Sequence, residues 1–494
     1  RNLVKPPPPQ WWSRDAAFSE RFWYQASQWR TTREHMPRVY LLDGGEWERS
    51  CDHLAETLGY RYSLEHWMRR HFREEVPYIV DDVDAADYVY LPHCATAIFL
   101  TMVAEQFIQP EKYTLGTRHI RKRRERRLAN ATAADDGYLA YEGNLPRAPV
   151  RRVDDWYLLS GRLREWATKG AFKACTERPS CRFLVVSIYG RHVWRRFSEV
   201  IGDKAVFVTH AGMSDWLHFQ QDLLLESTET GSSSGSIGSG GGGEASGDAV
   251  ADCRAACALH CVLEPPAVLP EDIVLPWTVA YGWTTRAASL AGRDVLAFFS
   301  GTRNSCSRYQ LEQVFHATGF ETWAREWSDG ADGLPLNGVD ESHVGRLGGE
   351  VVIFPSTVKL KQQDWSELAF RSRLCLIPDG DSPNTGRLVE VIMHGCVPFI
   401  ISNRLQPPLH EFINWGSIAF FVHEDRIPEL PHILRKLSGP AGMHQIKVRH
   451  ERLSLVAQSF SYAHGGIATQ FFLALRERTE RFAIATSQDR KDPV

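Results

Sequence analysis

Apolar residues along this chain fall into short runs bounded by proline, glycine and acidic residues, the pattern of buried strands. Such runs predict strands at Arg38–Leu42 (RVYLL), Tyr88–Leu91 (YVYL), Arg182–Ile188 (RFLVVSI), Ala205–Val208 (AVFV) and Ile273–Leu275. Helical spacing appears around Cys51–Leu58 and Leu64–Phe72. In the second half the alternation becomes regular. Strands are predicted at Asp294–Phe299, Val351–Phe354, Leu374–Ile377, Val397–Ile401 and Ile418–Val422. Helices are predicted at Arg308–Thr318, Trp365–Ser372, Asn384–Met393 and Ile427–Leu437, and again from about Gln445 to Phe482. Near-continuous apolar strands separated by helices imply βαβ units and parallel sheets covered on both faces.

Two segments break the pattern. Arg118–Arg127 (RHIRKRRERR) reads as a solvated helix or loop face, with a patch for an anionic polymer as the alternative. The Gly/Ser-rich stretch within 226–250 has too little apolar surface to order itself, so it reads as a flexible insertion. The Pro-, Trp- and Arg-rich residues 1–35 read as a stem or an N-terminal wrap.

The chain has 494 residues, 43% of them hydrophobic and 24% charged, enough for two or more domains with real cores. A net charge of −3 gives no global attraction to nucleic acid, and none is expected as a partner. The 16 Trp suit stacking against sugars as well as core packing. The ten Cys form no C-x-x-C pair, which argues against a zinc or thioredoxin-type site. Cys175 and Cys181 are close enough to close a small loop. No run of 18 apolar residues is present. Arg1 in place of Met, followed by Pro6–Pro9, reads as a stalk whose upstream anchor lies outside this chain. Asn130 opens one N-x-S/T sequon.

The candidate chemistry concentrates in Leu374–Ile401, LCLIPDGDSPNTGRLVEVIMHGCVPFII. A strand ends at Pro378, a loop follows through Gly380, and Ser382 and Pro383 read as the cap and first position of a helix. Such a strand-loop-helix points free backbone N–H groups and a positive dipole end at the loop, which suits phosphate. It lies at the carboxyl end of a strand, where open α/β sheets bind ligands. Thr385 can add a hydroxyl. Arg387 and Glu390 are i, i+3 neighbours on one helix face. Arg387 can neutralise a pyrophosphate and Glu390 can accept ribose hydroxyls; the ordinary alternative is a surface ion pair. A second strand-loop-helix ends its strand at Gly301 and opens its helix at Arg308, which could face the diphosphate from the other side.

These residues resemble the exostosin-like glycosyltransferase family. Its FFxG…R-x-x-L element corresponds to Phe298–Gly301 with Arg308 and Leu311. Its CLxPxGDS…R-x-x-(D/E)…GCIPVII element corresponds to Cys375–Ser382, Arg387–Glu390 and Gly395–Ile401. Weaker matches at Arg38–Asp43, Asp84–Pro92, Val208–His210 and Asp272–Pro276 keep the family's order. The resemblance implies an α/β protein of GT-B architecture, two Rossmann-like lobes facing a cleft. An acceptor-side lobe would span 36–276, a UDP-sugar-binding lobe 277–440 and a helical tail 441–494. It implies transfer, with inversion, from a UDP-sugar to a hydroxyl of a polysaccharide or glycoprotein glycan, in the Golgi lumen behind a type II anchor. His210 and Asp215, just past a predicted strand end, are the candidate catalytic bases. No cofactor or metal is expected: Asp379-Gly380-Asp381 is a D-x-D triplet, but a carboxylate before a helix start is favourable without a cation.

The family's acidic residue after the His is Ala211 here. That departure keeps open a second reading, a weakly active or non-catalytic scaffold subunit in a hetero-complex with another glycosyltransferase. Galactose, xylose, arabinose, glucuronic acid and N-acetylhexosamine all remain open as the transferred sugar.

Overall fold

In the computed structural model the described residues are 17–19, 22, 25, 36–42, 64–74, 78–92, 170–186, 201, 204–210, 272–277, 279, 282–301, 305–317, 350–354, 360–380, 385–462 and 466–489. The expected helix at 51–58, the basic run 118–127, the sequon at Asn130 and the 226–250 insertion lie outside them. Contacts divide the chain into a unit of residues 34–209 with 475–494 and a unit of residues 1–33 with 210–474. The reading along the sequence instead places boundaries at 276 and 440.

The first sheet contains β1 (Val39–Leu41), β2 (Ile79–Val80), β3 (Tyr88–Tyr90), β4 (Arg182–Val186), β5 (Ala205–Thr209) and β6 (Ile273–Val274). Their order is β2-β1-β3-β4-β5-β6, and the registers from β2 through β5 are parallel. Helices α1 (Leu64–Glu74) and α2 (Gly170–Glu177) accompany it. Phe172 on α2 stacks on Phe183 of β4 at 4.3 Å inside a core that includes Val89, Val185 and Phe207. Cys175 and Cys181 are disulfide-bonded, closing the small loop between α2 and β4. At the edge of β1, Arg38 grips Asp87 through its backbone N–H and its guanidinium, at 2.9 and 2.7 Å. β2, only two residues long, was not anticipated from the sequence; so short a run carries no periodicity.

The second sheet contains β7 (Val295–Ser300), β8 (Glu350–Phe354), β9 (Ser372–Pro378), β10 (Val397–Ile401) and β11 (Phe420–Val422). It is parallel throughout, in the order β11-β10-β9-β7-β8. The connecting helices are α3 (Cys306–Ala317), α4 (Gln362–Arg371), α5 (Gly386–Met393) and the single turn α6 (Trp415–Ile418). Then come α7 (Leu430–Leu437), α8 (Pro440–Val456) and α9 (Gly466–Asp489). Burial of β9 and β10 is nearly complete along their length, as their unbroken apolar sequences require. Cys375 on β9 is disulfide-bonded to Cys396 just before β10.

Expected strand Ile418–Val422 is corrected to Phe420–Val422. The residues before it turn as α6 because the Ala419 N–H closes on the Trp415 carbonyl at 2.9 Å, while the Trp415 indole donates to the Pro408 carbonyl at 2.9 Å. Arg293, ahead of β7, is buried without a carboxylate partner in its hydrogen bonds. Its guanidinium donates to the carbonyls of Ser289, Ala369, Ser372, Ala287 and His394. It thereby ties the end of α4 and the turn after α5 to the start of β7. Burial and the nearby Arg286 lower its pKa to about 10, so it remains charged at neutral pH. No helix among the described residues is long and apolar enough to cross a membrane.

Candidate functional site

β7 connects to β8 on one side, and the chain then returns to place β9 on the other. The order therefore reverses between β7 and β9. In open parallel sheets the crevice outside the carboxyl ends at such a switch point receives the ligand. Gly301 follows β7 there, and Asp379 and Gly380 follow β9. Both halves of the motif singled out in the sequence thus meet at one edge of one sheet.

Helix α5 starts from the β9 side. Its cap is Thr385, extended at φ −119° and ψ 145°, whose hydroxyl oxygen accepts the Arg387 N–H at 3.3 Å. The cap expected at Ser382, with Pro383 as the first helical position, is corrected: an extended Thr385 cannot lie inside a helix. Ser382 itself lies outside the described residues. The Thr385 oxygen is committed to the helix, and its O–H proton can still donate.

A ring contact and an ion pair help to fix Arg387. Its guanidinium stacks on the Trp365 ring at 4.2 Å, and Nη1 donates to Glu390 Oε2 at 2.7 Å. The Glu390 side chain is 4% exposed and that of Arg387 is 30% exposed. The cation is therefore held in a defined pose and remains partly exposed, and a guanidinium has five donors to distribute. Glu390, expected to accept ribose hydroxyls, faces Arg387 at one oxygen.

From the β7 side, Ser305 joins the two loops. Its hydroxyl donates to the Asp379 carbonyl at 2.6 Å and lies 3.4 Å from the Arg308 N–H. Arg308 is buried. Its Nη1 comes within 3.5 Å of where a Cβ on Gly301 would stand, and the Phe299 ring within 3.1 Å. A side chain at 301 would press on the Phe299 ring, while the guanidinium lies at ordinary contact distance.

Sequence reasoning passed over Glu424 and read Asp379 only as part of a triplet. In the fold they meet. The Asp379 carboxyl is buried at the end of β9, with Glu424, Ser402 and Arg404 around it. Burial, and then the Glu424 charge, push its pKa well above the usual carboxylate range. Glu424 accepts from the Ser307 hydroxyl at 2.6 Å and from the Asn403 N–H at 3.3 Å. The Glu424 N–H returns a bond to Asn403 Oδ1 at 2.8 Å. Nothing local in the sequence announces this pairing, because strands β9, β10 and β11 and helix α3 each supply one part.

His210 is fully buried at the end of β5, stacked on Trp277 at 4.8 Å, with Nδ1 3.1 Å from the Leu275 carbonyl. Burial lowers its pKa to about 3, against a smaller opposing effect of the Leu275 bond. A general base needs access to the reacting hydroxyl and a pKa near the working pH. Neither property fits His210, which suits a packing role. Asp215 lies outside the described residues. Among the described residues, no group of three or more His, Cys, Asp or Glu side chains could hold a metal.

Comparison with known proteins concentrates on this same sheet. Residues 273–437 match the model of the Exostosin GT47 domain. A probable glucuronosyltransferase of Oryza sativa subsp. japonica is 40% identical over 75 residues, 15% of this chain and 18% of that protein. A probable beta-1,4-xylosyltransferase of Arabidopsis thaliana is 40% identical over 67 residues, 14% of this chain and 16% of that protein. The matched segments thus span less than a fifth of these relatives. The crystal structure of TarM aligns over 61% of this chain and 56% of its own at 8% identity and a TM-score of 0.27, too distant to carry weight.

Proposed function

We propose that this chain, whose residues 273–437 match the Exostosin GT47 domain, is a glycosyltransferase that moves a sugar from a UDP-sugar to a glycan hydroxyl with inversion. The observation that carries this reading is the convergence, at one switch point, of the α5 start, Arg387 and Arg308. Glycosyl transfer from a nucleotide sugar releases a diphosphate whose charge grows as the bond breaks. Backbone N–H groups and two guanidinium groups aimed at that charge lower the barrier without reorganising during the reaction. Arg387 is held ready by Trp365 and Glu390, so little side-chain entropy is lost on binding. The acceptor hydroxyl needs a base, and Asp215 is the sequence candidate that the burial of His210 leaves standing. Disulfides at Cys175–Cys181 and Cys375–Cys396 favour an oxidising compartment, in keeping with a Golgi lumenal site.

Calorimetric titration of UDP tests the reading. The wild-type chain should bind, and Arg387→Ala and Glu390→Ala should each weaken binding at least tenfold, about 1.4 kcal/mol. Glu390→Ala acts by freeing Arg387 from its fixed pose. Absence of binding at millimolar UDP would sink the transferase reading. Ala211, where the family carries an acid, would then favour a non-catalytic subunit in a hetero-complex.

A further inference from the structure

We propose that Asp379 and Glu424 form a positioning pair of the donor site, latching the loop after β9 to the start of α3, and that this latch makes nucleotide binding sensitive to pH. The proposal rests on the donor-site reading above and adds residues to it.

The geometry is a closed set of links. Asp379 offers its backbone carbonyl to Ser305 at 2.6 Å, just before α3. Glu424 takes the Ser307 hydroxyl, in the first turn of α3, at 2.6 Å. Glu424 also exchanges two hydrogen bonds with Asn403, just past β10. The Asp379 N–H donates to the Ile401 carbonyl at 3.3 Å. Through these two residues the ends of β9, β10 and β11 converge on the first turn of α3, the turn that carries Arg308.

The weak point is the Asp379 carboxyl. Neither of its oxygens reaches a hydrogen-bond donor at full strength, although both are buried. The charged groups facing it are Glu424, from beyond β11, and Arg404, from beyond β10 at 4.0 Å. Arg404 is too distant for a direct hydrogen bond. Ser402 is the neutral neighbour. Burial of the Asp379 carboxyl, with the Glu424 charge facing it, makes its ionised form costly, so Asp379 holds its proton above the usual carboxylate range. The sign follows. A carboxyl whose folded pKa is raised binds its proton more tightly in the folded state than in the unfolded one. The latch is therefore intact at low pH and loosens as pH climbs from about 3.8 through the raised value. Loosening it releases α3 from the β9 loop and misplaces Arg308.

The test is calorimetric UDP binding between pH 5 and pH 8.5 in wild type, Asp379→Asn and Glu424→Gln, with thermal unfolding recorded alongside. UDP gains charge of its own near pH 6, so the informative quantity is the difference between wild type and variant. Wild-type affinity should fall at least tenfold more across this range than that of Asp379→Asn, which has nothing to ionise. Glu424→Gln should flatten the profile in the same way, and both variants should lose the alkaline decline in Tm. Profiles that run parallel in wild type and in both variants would overturn the latch while leaving the donor site in place. Binding lost in EDTA and restored by Mn²⁺ would overturn it too, because a cation held by these carboxyls would take the place of the Asp379 proton. Failure of wild type to bind UDP at any pH would remove the donor-site reading itself and the latch with it.

Discussion

Gly395 stands at φ +69° in the turn between α5 and β10. A Cβ there would lie 2.0 Å from the Ala287 carbonyl oxygen and 2.6 Å from Arg293 Nη2. The clash is with backbone on one side and with a guanidinium already holding several carbonyls on the other, so neither neighbour can yield cheaply. Left-handed strain and overpacking each cost on the order of 1–2 kcal/mol or more. Gly395→Ala should therefore destabilise the 210–474 unit by roughly 3 kcal/mol, read as a lower denaturant midpoint with an unchanged slope. Sequence could place this glycine in the motif, but the reason for it lies in Ala287 and Arg293, which precede β7. Arg387, Glu390 and Arg308 could be singled out because each sits in a local strand-loop-helix pattern. Asp379 and Glu424 could not, since their relation exists only once β9, β10 and β11 lie side by side. His210 is the opposite case. A histidine beyond a strand end looks chemical in sequence, while its burial against Trp277 argues for packing.

Thr385 shows how much an element depends on its first residue. Helix α5 is only eight residues long, Gly386–Met393, so its stability comes from its cap and from the buried face of Leu388, Val389 and Ile392. Thr385→Ala removes the acceptor for the Arg387 N–H, and loss of such a cap costs about 1 kcal/mol. The same change frays the turn whose N–H groups would meet the diphosphate under the proposed function. UDP affinity should drop several-fold while Tm falls by only a few degrees; a drop in Tm with unchanged affinity would separate the cap from the site. Strands and helices of this sheet were largely readable because parallel strands are continuous apolar runs and the helices between them are amphipathic. The misreadings sit at element starts. α5 begins at Gly386 rather than Asn384, since the Thr385 side chain competes successfully for the first N–H. α6 replaces the first residues of an expected strand, since Trp415 is held by the Pro408 carbonyl, a contact that no local propensity encodes.

At the scale of the whole molecule, what sequence order conceals is which distant segments share a core. Residues 1–33 group with 210–474, and the described part of them shows why. Phe18 makes an antiparallel bridge to Ile413, and the Ser19 N–H donates to the Phe412 carbonyl at 2.8 Å. The Asn414 N–H donates to the Ala17 carbonyl at 2.9 Å. Phe22 is fully buried, stacked on Phe18 at 4.3 Å and edge-on to Phe412 at 6.3 Å. Of the two sequence expectations for 1–35, a stem or a wrap, the packing of Phe18 and Phe22 against Ile413 and Phe412 is what a wrap would make. The composition could not decide between them, because a proline- and tryptophan-rich stretch has no periodicity to reveal its buried face. The consequence is that a residue far from the proposed donor site in sequence supports the unit that carries it. Phe22→Ala removes a buried aromatic and should cost about 3–5 kcal/mol. The cost should appear as a lower Tm for unfolding of that unit, and saturating UDP should restore part of it, because a ligand that binds only the folded state stabilises by mass action. UDP affinity measured well below the new Tm should stay close to wild type, since Phe22 packs on Phe18 and Phe412. An unchanged Tm would mean that the wrap adds nothing to the unit, and residues 1–33 would then be a stem after all.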